Sequence, residues 1–254
     1  MKENILKFSR KDLQFHNQGL TVRAGKGDDK KAEIVIYDTI TPYADEFWGG
    51  ISAKMIDKEI KNLAPDTKEL LVRINSPGGS VFEGMTIYNR FLQLREKMTV
   101  NVIVDGLAAS IASIIAMCGE EIIMANESFM MIHKPWTYTA GNAVKHDENI
   151  RLLDSLEYAM INVYKKRCGM DRNQIAQMLM EETWMHTDVA ISKGFATKKA
   201  DADTEVQVAA SALASEWFSK APKIENTAEK FLAQKKRTDI SNHKKRIGEC
   251  LARG

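Results

Sequence analysis

Cysteine is scarce in this 254-residue chain: Cys118, Cys168 and Cys250 are scattered, with neither a metal-ligand spacing nor the pairing pattern of a disulfide framework. A reducing, cytoplasmic setting and no bound metal are the expectation. Five prolines and fifteen glycines are too few for long disordered linkers. No apolar run is long enough for a membrane span: the longest lies between Gly106 and Gly119 and is interrupted by serines, against the roughly 20 residues a spanning helix needs. The opening residues Met1–Asn4 lead into a charged segment with no apolar core, so no secretory signal is expected. What remains is an ordinary globular composition, 44% hydrophobic and 28% charged.

The net charge of +2 conceals an asymmetry. From Lys220 to Gly254 there are ten Lys/Arg and four Asp/Glu, leaving the first 219 residues with 26 basic and 30 acidic side chains. Such a tail suits an acidic partner or a nucleic acid, but a solvated helical tail explains it more simply, and no nucleic-acid partner is expected. Three zones follow: a polar, flexible arm over residues 1–30, a patterned domain over 31–203, and a basic helical or disordered extension over 204–254, broken at Pro222.

In the middle zone strand and helix patterns alternate. Ala32–Ile40, Glu69–Ile74, Thr99–Val104, Glu121–Ala125 and Ser128–Ile132 read as strands. Helical spacing marks Ser52–Leu63, the stretch after Ser80, the long amphipathic segment Ala143–Arg167 and the stretch from Asp171 through Met180, and Thr187 reads as the cap of a short helix ending at Gly194. Asp105-Gly106 reads as a turn and Leu107–Met117 as a helix buried all round. This alternation predicts an α/β domain with largely parallel strands.

Three places can carry chemistry. Ser110 follows a glycine turn and small residues at a predicted helix start, where a hydroxyl is exposed and free N–H groups and the helix dipole favour a nearby oxyanion. Asn75-Ser-Pro-Gly-Gly79 lets the backbone come close to a ligand and aim N–H groups at developing negative charge. His133 ends the apolar strand Phe129–Ile132, at the mouth of a sheet where a general base belongs. Each has a plainer reading: a cap, a strand-to-helix turn, a structural histidine. The other histidines, His16, His146, His186 and His243, share no metal spacing.

Taken together, I-N-S-P-G-G-S (74–80), D-G-L-A-A-S (105–110) and M-M-I-H-K-P (130–135) resemble the Clp-type serine proteases in composition, order and separation, over about Ile34 to Ala200. The resemblance implies a crotonase-like spiral α/β fold with a protruding helix, and a Ser-His-Asp triad without cofactor or metal. By it, Ser110 is the nucleophile of a serine endopeptidase and His133 its general base. Gly78 or Gly79, with the N–H of Ile111, forms the oxyanion hole, and the segment after Gly79 pairs with an extended substrate. Where the family has its aspartate this chain has Glu182, with Glu181, Asp188 and Asp171 as rivals. Glu182-Thr-Trp184-Met, Pro135-Trp136, Gly141-Asn142-Ala143 and the basic extension look like the phage and prophage branch, whose members are thought to trim scaffold and capsid proteins during head maturation. The alternatives are a housekeeping ATP-dependent proteolytic subunit and a catalytically silent assembly protein of the same fold. An acyl-CoA enzyme of the crotonase superfamily and a Ser-Lys dyad using Lys134 are set aside, because serine and histidine match together. A homo-oligomeric ring of six or seven subunits is expected, either single or stacked in pairs through the helix Ala143–Arg167.

Overall fold

The structure, a computed structural model, describes residues 20–24, 30–44 and 49–201. The basic extension assigned to 204–254, Pro222 and Cys250, and His16 and His243 lie outside the described residues.

Among the described residues, eight strands form one mixed sheet. β1 (Leu20–Ala24), β2 (Lys31–Ile36), β3 (Glu69–Ser76), β4 (Thr99–Ala109), β5 (Ile122–Met124) and β8 (Lys198–Lys199) lie side by side in that order. β6 (Phe129–Ile132) pairs with the far end of β4 and with β7 (Thr183–His186). From β2 to β8 the pairings are parallel, as is β4 with β6; only β1–β2 and β6–β7 are antiparallel. The α/β reading with a largely parallel sheet therefore holds. Leu20–Ala24, inside the stretch read as a flexible arm, is instead the edge strand β1: an apolar Leu-Thr-Val run finds backbone partners along β2.

Alternation places Ile34 and Ile36, Val72 and Ile74, and Val102 and Val104 on one face, all fully buried. α1 (Ala53–Lys61) buries Ile56 and Ile60, and α2 (Val81–Leu94) buries Ile87 and Phe91 in the same core. Each large apolar side chain so removed from water stabilises the fold by about 1.5–3 kcal/mol. Side-chain caps fix several helix starts. Ser52 accepts from the Met55 N–H, and Asp171 and Gln174 form a reciprocal capping box on α5 (Arg172–Met180). α4 (Ala143–Cys168) is capped by Asn142 and buries only Met160, Ile161 and Tyr164, so most of its 26 residues stand away from the core.

Two local readings are overturned. β4 does not stop at Val104 with a turn at Asp105-Gly106, and Leu107–Ala109 are strand rather than helix. Asp105 stays in the strand because the Arg73 guanidinium grips its carboxylate, Nε to Oδ2 at 2.9 Å, and the Tyr37 hydroxyl donates to it as well. Leu107–Ala109 stay because they pair with Phe129–Met131 of β6. Between these two stretches the β3–β4 register shifts: Ile74 faces Val104, but Ser76 faces Ala108. Gly106 sits in this bulge, where an added Cβ would lie 3.0 Å from Asn75 Oδ1. The helix, α3 (Ile111–Ala116), begins only after Ser110. A smaller correction concerns α6 (Thr187–Ser192), whose cap is His186; the Thr187 hydroxyl instead donates to the Ala125 carbonyl at 2.6 Å.

Candidate active site

Strand register brings the three motifs together. Ser76 lies opposite Ala108, so the Gly78 turn comes alongside Ser110. Ala109 lies opposite Met131, and the Ser110 N–H donates to the Met131 carbonyl at 2.9 Å, so the chain leaving β4 passes the end of β6 where His133 begins. Ile132 is opposite Thr183 in the antiparallel β6–β7 pair, which sets His133 and Glu182 at the same level just beyond the strand ends. The site thus occupies the carboxyl ends of the parallel strands, the usual location in open α/β sheets.

Ser110 has φ 54° and ψ −127°, a backbone conformation that non-glycine residues rarely adopt. It costs on the order of 1–3 kcal/mol and persists only where the surroundings over-determine it. Here the N–H is held by Met131, and the carbonyl accepts both the N–H of Ser113 at 3.0 Å and its hydroxyl at 2.5 Å. The Ser110 side chain does not cap α3. Its Oγ lies 2.8 Å from His133 Nε2.

His133 is buried, which lowers its pKa below the ordinary 6.5, while the charge of Glu182 pulls it back up. The ring is therefore neutral at pH 7, with Nε2 able to accept the Ser110 proton. Glu182 follows the last turn of α5 with φ 51°, a left-handed step that turns it away from the helix axis, and its Oε1 accepts from the Trp184 indole N–H at 3.2 Å. The three rival carboxylates are engaged elsewhere. Glu181 is exposed and accepts from Gln177, Asp188 is exposed and paired with Lys199 at 2.6 Å, and Asp171 caps α5. Lys134 points its ammonium at Glu157 of α4, 2.9 Å away.

Gly78 has φ 94°, and an added Cβ would sit 2.6 Å from the Ala109 carbonyl oxygen and 2.8 Å from Ser110 Cβ. Only glycine fits against the serine there. Its N–H already donates to Ser76 Oγ at 3.1 Å. Gly79 is exposed, and among the described residues no hydrogen bond engages its N–H or that of Ile111. Trp184 and Ser76 were not singled out for these contacts by the sequence. The indole two residues after Glu182 and the serine opening the Pro-Gly-Gly turn were the available signals. Among the described residues no group of three or more His, Cys, Asp or Glu side chains is arranged to hold a metal ion, and no helix is long and apolar enough to cross a membrane.

A serine, a histidine and a carboxylate gathered at the ends of adjoining strands of an α/β sheet define a class of site, and comparison with known proteins narrows the class to a family. The chain belongs to the Clp protease family, whose profile matches residues 29–201. It is 31% identical over 121 residues to the ATP-dependent Clp protease proteolytic subunit 1 of Chlamydia abortus, covering 46% of this chain and 62% of that protein. The protein of the same name from Protochlamydia amoebophila is 28% identical over 144 residues, covering 55% and 69%. That from Chlamydia trachomatis serovar D is 30% identical over 126 residues, covering 48% and 64%. The match spans somewhat more than three-fifths of these relatives' length.

Proposed function

We propose that the chain is a serine endopeptidase subunit in which Ser110 is the nucleophile, His133 the general base and Glu182 the third member of the triad. The observation that carries this reading is the 2.8 Å contact from Ser110 Oγ to His133 Nε2 at a strained backbone turn. As Oγ attacks the carbonyl carbon of a peptide bond, its proton passes to Nε2. The imidazolium is steadied by the Glu182 carboxylate, and the Trp184 N–H steadies that carboxylate in turn. The oxyanion receives the N–H groups of Gly79 and Ile111; Gly79 serves better than Gly78, whose N–H is already engaged. His133 then protonates the leaving amine, the Ser110 ester forms, and water activated by the same imidazole releases the acid.

Ser110→Ala removes one small polar atom from a half-buried position. It should abolish peptide hydrolysis and labelling by a fluorophosphonate while circular dichroism stays unchanged. Residual full turnover would refute the assignment, and an unlabelled wild-type protein would favour the silent assembly role.

Within this reading the names of the relatives favour a proteolytic subunit served by an ATPase, with protein substrates and a ring of identical subunits in the cytoplasm. The capsid-maturation version is supported by Trp136, Trp184, the Gly141-Asn142 turn and the basic stretch beyond residue 203. The two separate cleanly. Degradation of a folded, tagged protein only when an ATPase partner and ATP are supplied supports the first. Specific trimming of a co-expressed capsid or scaffold protein without ATP, read by mass spectrometry, supports the second.

A further inference from the structure

We propose that Tyr164 is a positioning residue for the site, acting through Ser113 on the peptide that joins Ser110 to Ile111; the proposal rests on the reading of Ser110 as nucleophile. Tyr164 is on α4 and wholly buried, yet it carries a hydroxyl into the core. That hydroxyl meets Ser113 Oγ at 2.8 Å, and Ser113, also wholly buried, lies in the first turn of α3. Ser113 has a single hydroxyl proton, and the Ser110 carbonyl 2.5 Å away can only accept it. The direction of the chain is thereby fixed: Tyr164 donates to Ser113, and Ser113 donates to Ser110. Each donation polarises the next. Burial raises the Tyr164 pKa, so the phenol remains a donor at every working pH.

The packing does not require that oxygen. The Tyr164 ring lies 5.5 Å from the Phe195 ring and shares the core with Met160 and Ile161, surroundings in which phenylalanine would fill nearly the same space. What the oxygen supplies is direction. A peptide unit is planar, so the Ser110 carbonyl and the Ile111 N–H point along opposite sides of one rigid plate. Clamping the carbonyl from Ser113, with Tyr164 behind it, sets where the Ile111 N–H aims. It also closes the C-terminal side of the strained Ser110 conformation, whose N-terminal side is closed by Met131. Because an oxyanion exists only on the way to and from the tetrahedral state, loosening this plate should act on turnover and not on binding.

The test is a kinetic comparison of the full-length Tyr164→Phe, Ser113→Ala and doubly substituted proteins with the parent. Loss of a whole oxyanion donor typically costs 10²–10³ in rate, so a misdirected one should cost Tyr164→Phe about tenfold in kcat. The fluorophosphonate labelling rate should fall by a similar factor, with KM within about twofold and the pH midpoint unmoved because His133 is untouched. Ser113→Ala should fall at least as far, and the double variant should be no slower than Ser113→Ala alone, since both residues act along one path. Phe195→Leu, which loosens the same packing without touching the hydroxyls, should lower the melting temperature and keep kcat. Parental kcat and labelling in Tyr164→Phe would overturn the proposal, as would an effect confined to KM or multiplicative losses in the double variant. Ser110→Ala separates the two levels. If it retains turnover, the underlying reading fails; if it is silent while Tyr164→Phe is normal, only the relay fails.

Discussion

His133 is subject to two opposing influences on its proton affinity: burial, the larger, lowers its pKa below 6.5, and the nearby Glu182 charge raises it. A general base must be neutral, so kcat/KM should rise with pH through a midpoint below 6.5 and be level from about pH 7 to 8, measured as a pH–rate profile. A rate independent of pH between about 5 and 8 would argue against His133 as the base. Glu182→Gln withdraws the raising influence, so the midpoint should move further down. Its plateau should fall by as much as about 10⁴, the loss seen when the orienting carboxylate of a triad is neutralised. Asp188→Asn should leave turnover intact, because that exposed carboxylate pairs with Lys199. A larger loss from Asp188→Asn than from Glu182→Gln would reassign the triad.

Strand β4 is the element on which the site depends. The register shift opposite Asn75 brings Ser110 level with the Gly78 turn instead of past it, and the buried Arg73–Asp105 pair with Tyr37 holds β4 where the shift occurs. Burial raises the Asp105 pKa against the lowering pull of Tyr37 and Arg73. Removing one partner leaves the other charge buried without its main counterion, so Arg73→Met should destabilise the fold by about 3–5 kcal/mol in urea unfolding. The double change Arg73→Met with Asp105→Leu removes both charges and should recover most of that loss. Equal destabilisation by the single and double changes would show that the pair does not act as a unit.

At the scale of the whole molecule, α4 carries the clearest excess of apolar surface. Val144, Ile150 and Tyr158 are more than half exposed, Leu152 is 43% exposed, and Leu153 and Leu156 are half-buried. Met160 and Ile161 further along α4, and Ile175, Met178 and Leu179 of α5, are core residues, so the candidate surface is the first part of α4. Exposed large apolar side chains gathered on one helix are suited to a subunit contact. We expect light scattering at micromolar concentration to give a multiple of 28.6 kDa consistent with a ring or paired rings. Leu153→Glu with Leu156→Glu should lower that mass while the far-ultraviolet circular dichroism is retained. A single-chain mass at every concentration would exclude the ring.

Much of this was legible in one dimension because the signals are local. Alternating β-branched runs marked the strands, Asp171 marked a helix start, and the Pro-Gly-Gly turn, Ser110 and His133 each stood at an element boundary. By itself the sequence therefore determined an α/β fold and offered Ser110 and His133 as candidates, whose 2.8 Å contact only the tertiary structure supplies. It misread Asp105–Ala109, since an Asp-Gly pair followed by small apolar residues is locally a turn and helix start; only Arg73, Tyr37 and β6, remote in sequence, keep it extended. Glu182 was named through the family resemblance, with Glu181, Asp188 and Asp171 left as rivals. The antiparallel β6–β7 pairing sets Glu182 level with His133, and that pairing joins segments some fifty residues apart. The hydroxyl chain from Tyr164 was invisible for the same reason: its members are 51 residues apart, and only packing α4 against α3 brings them into contact.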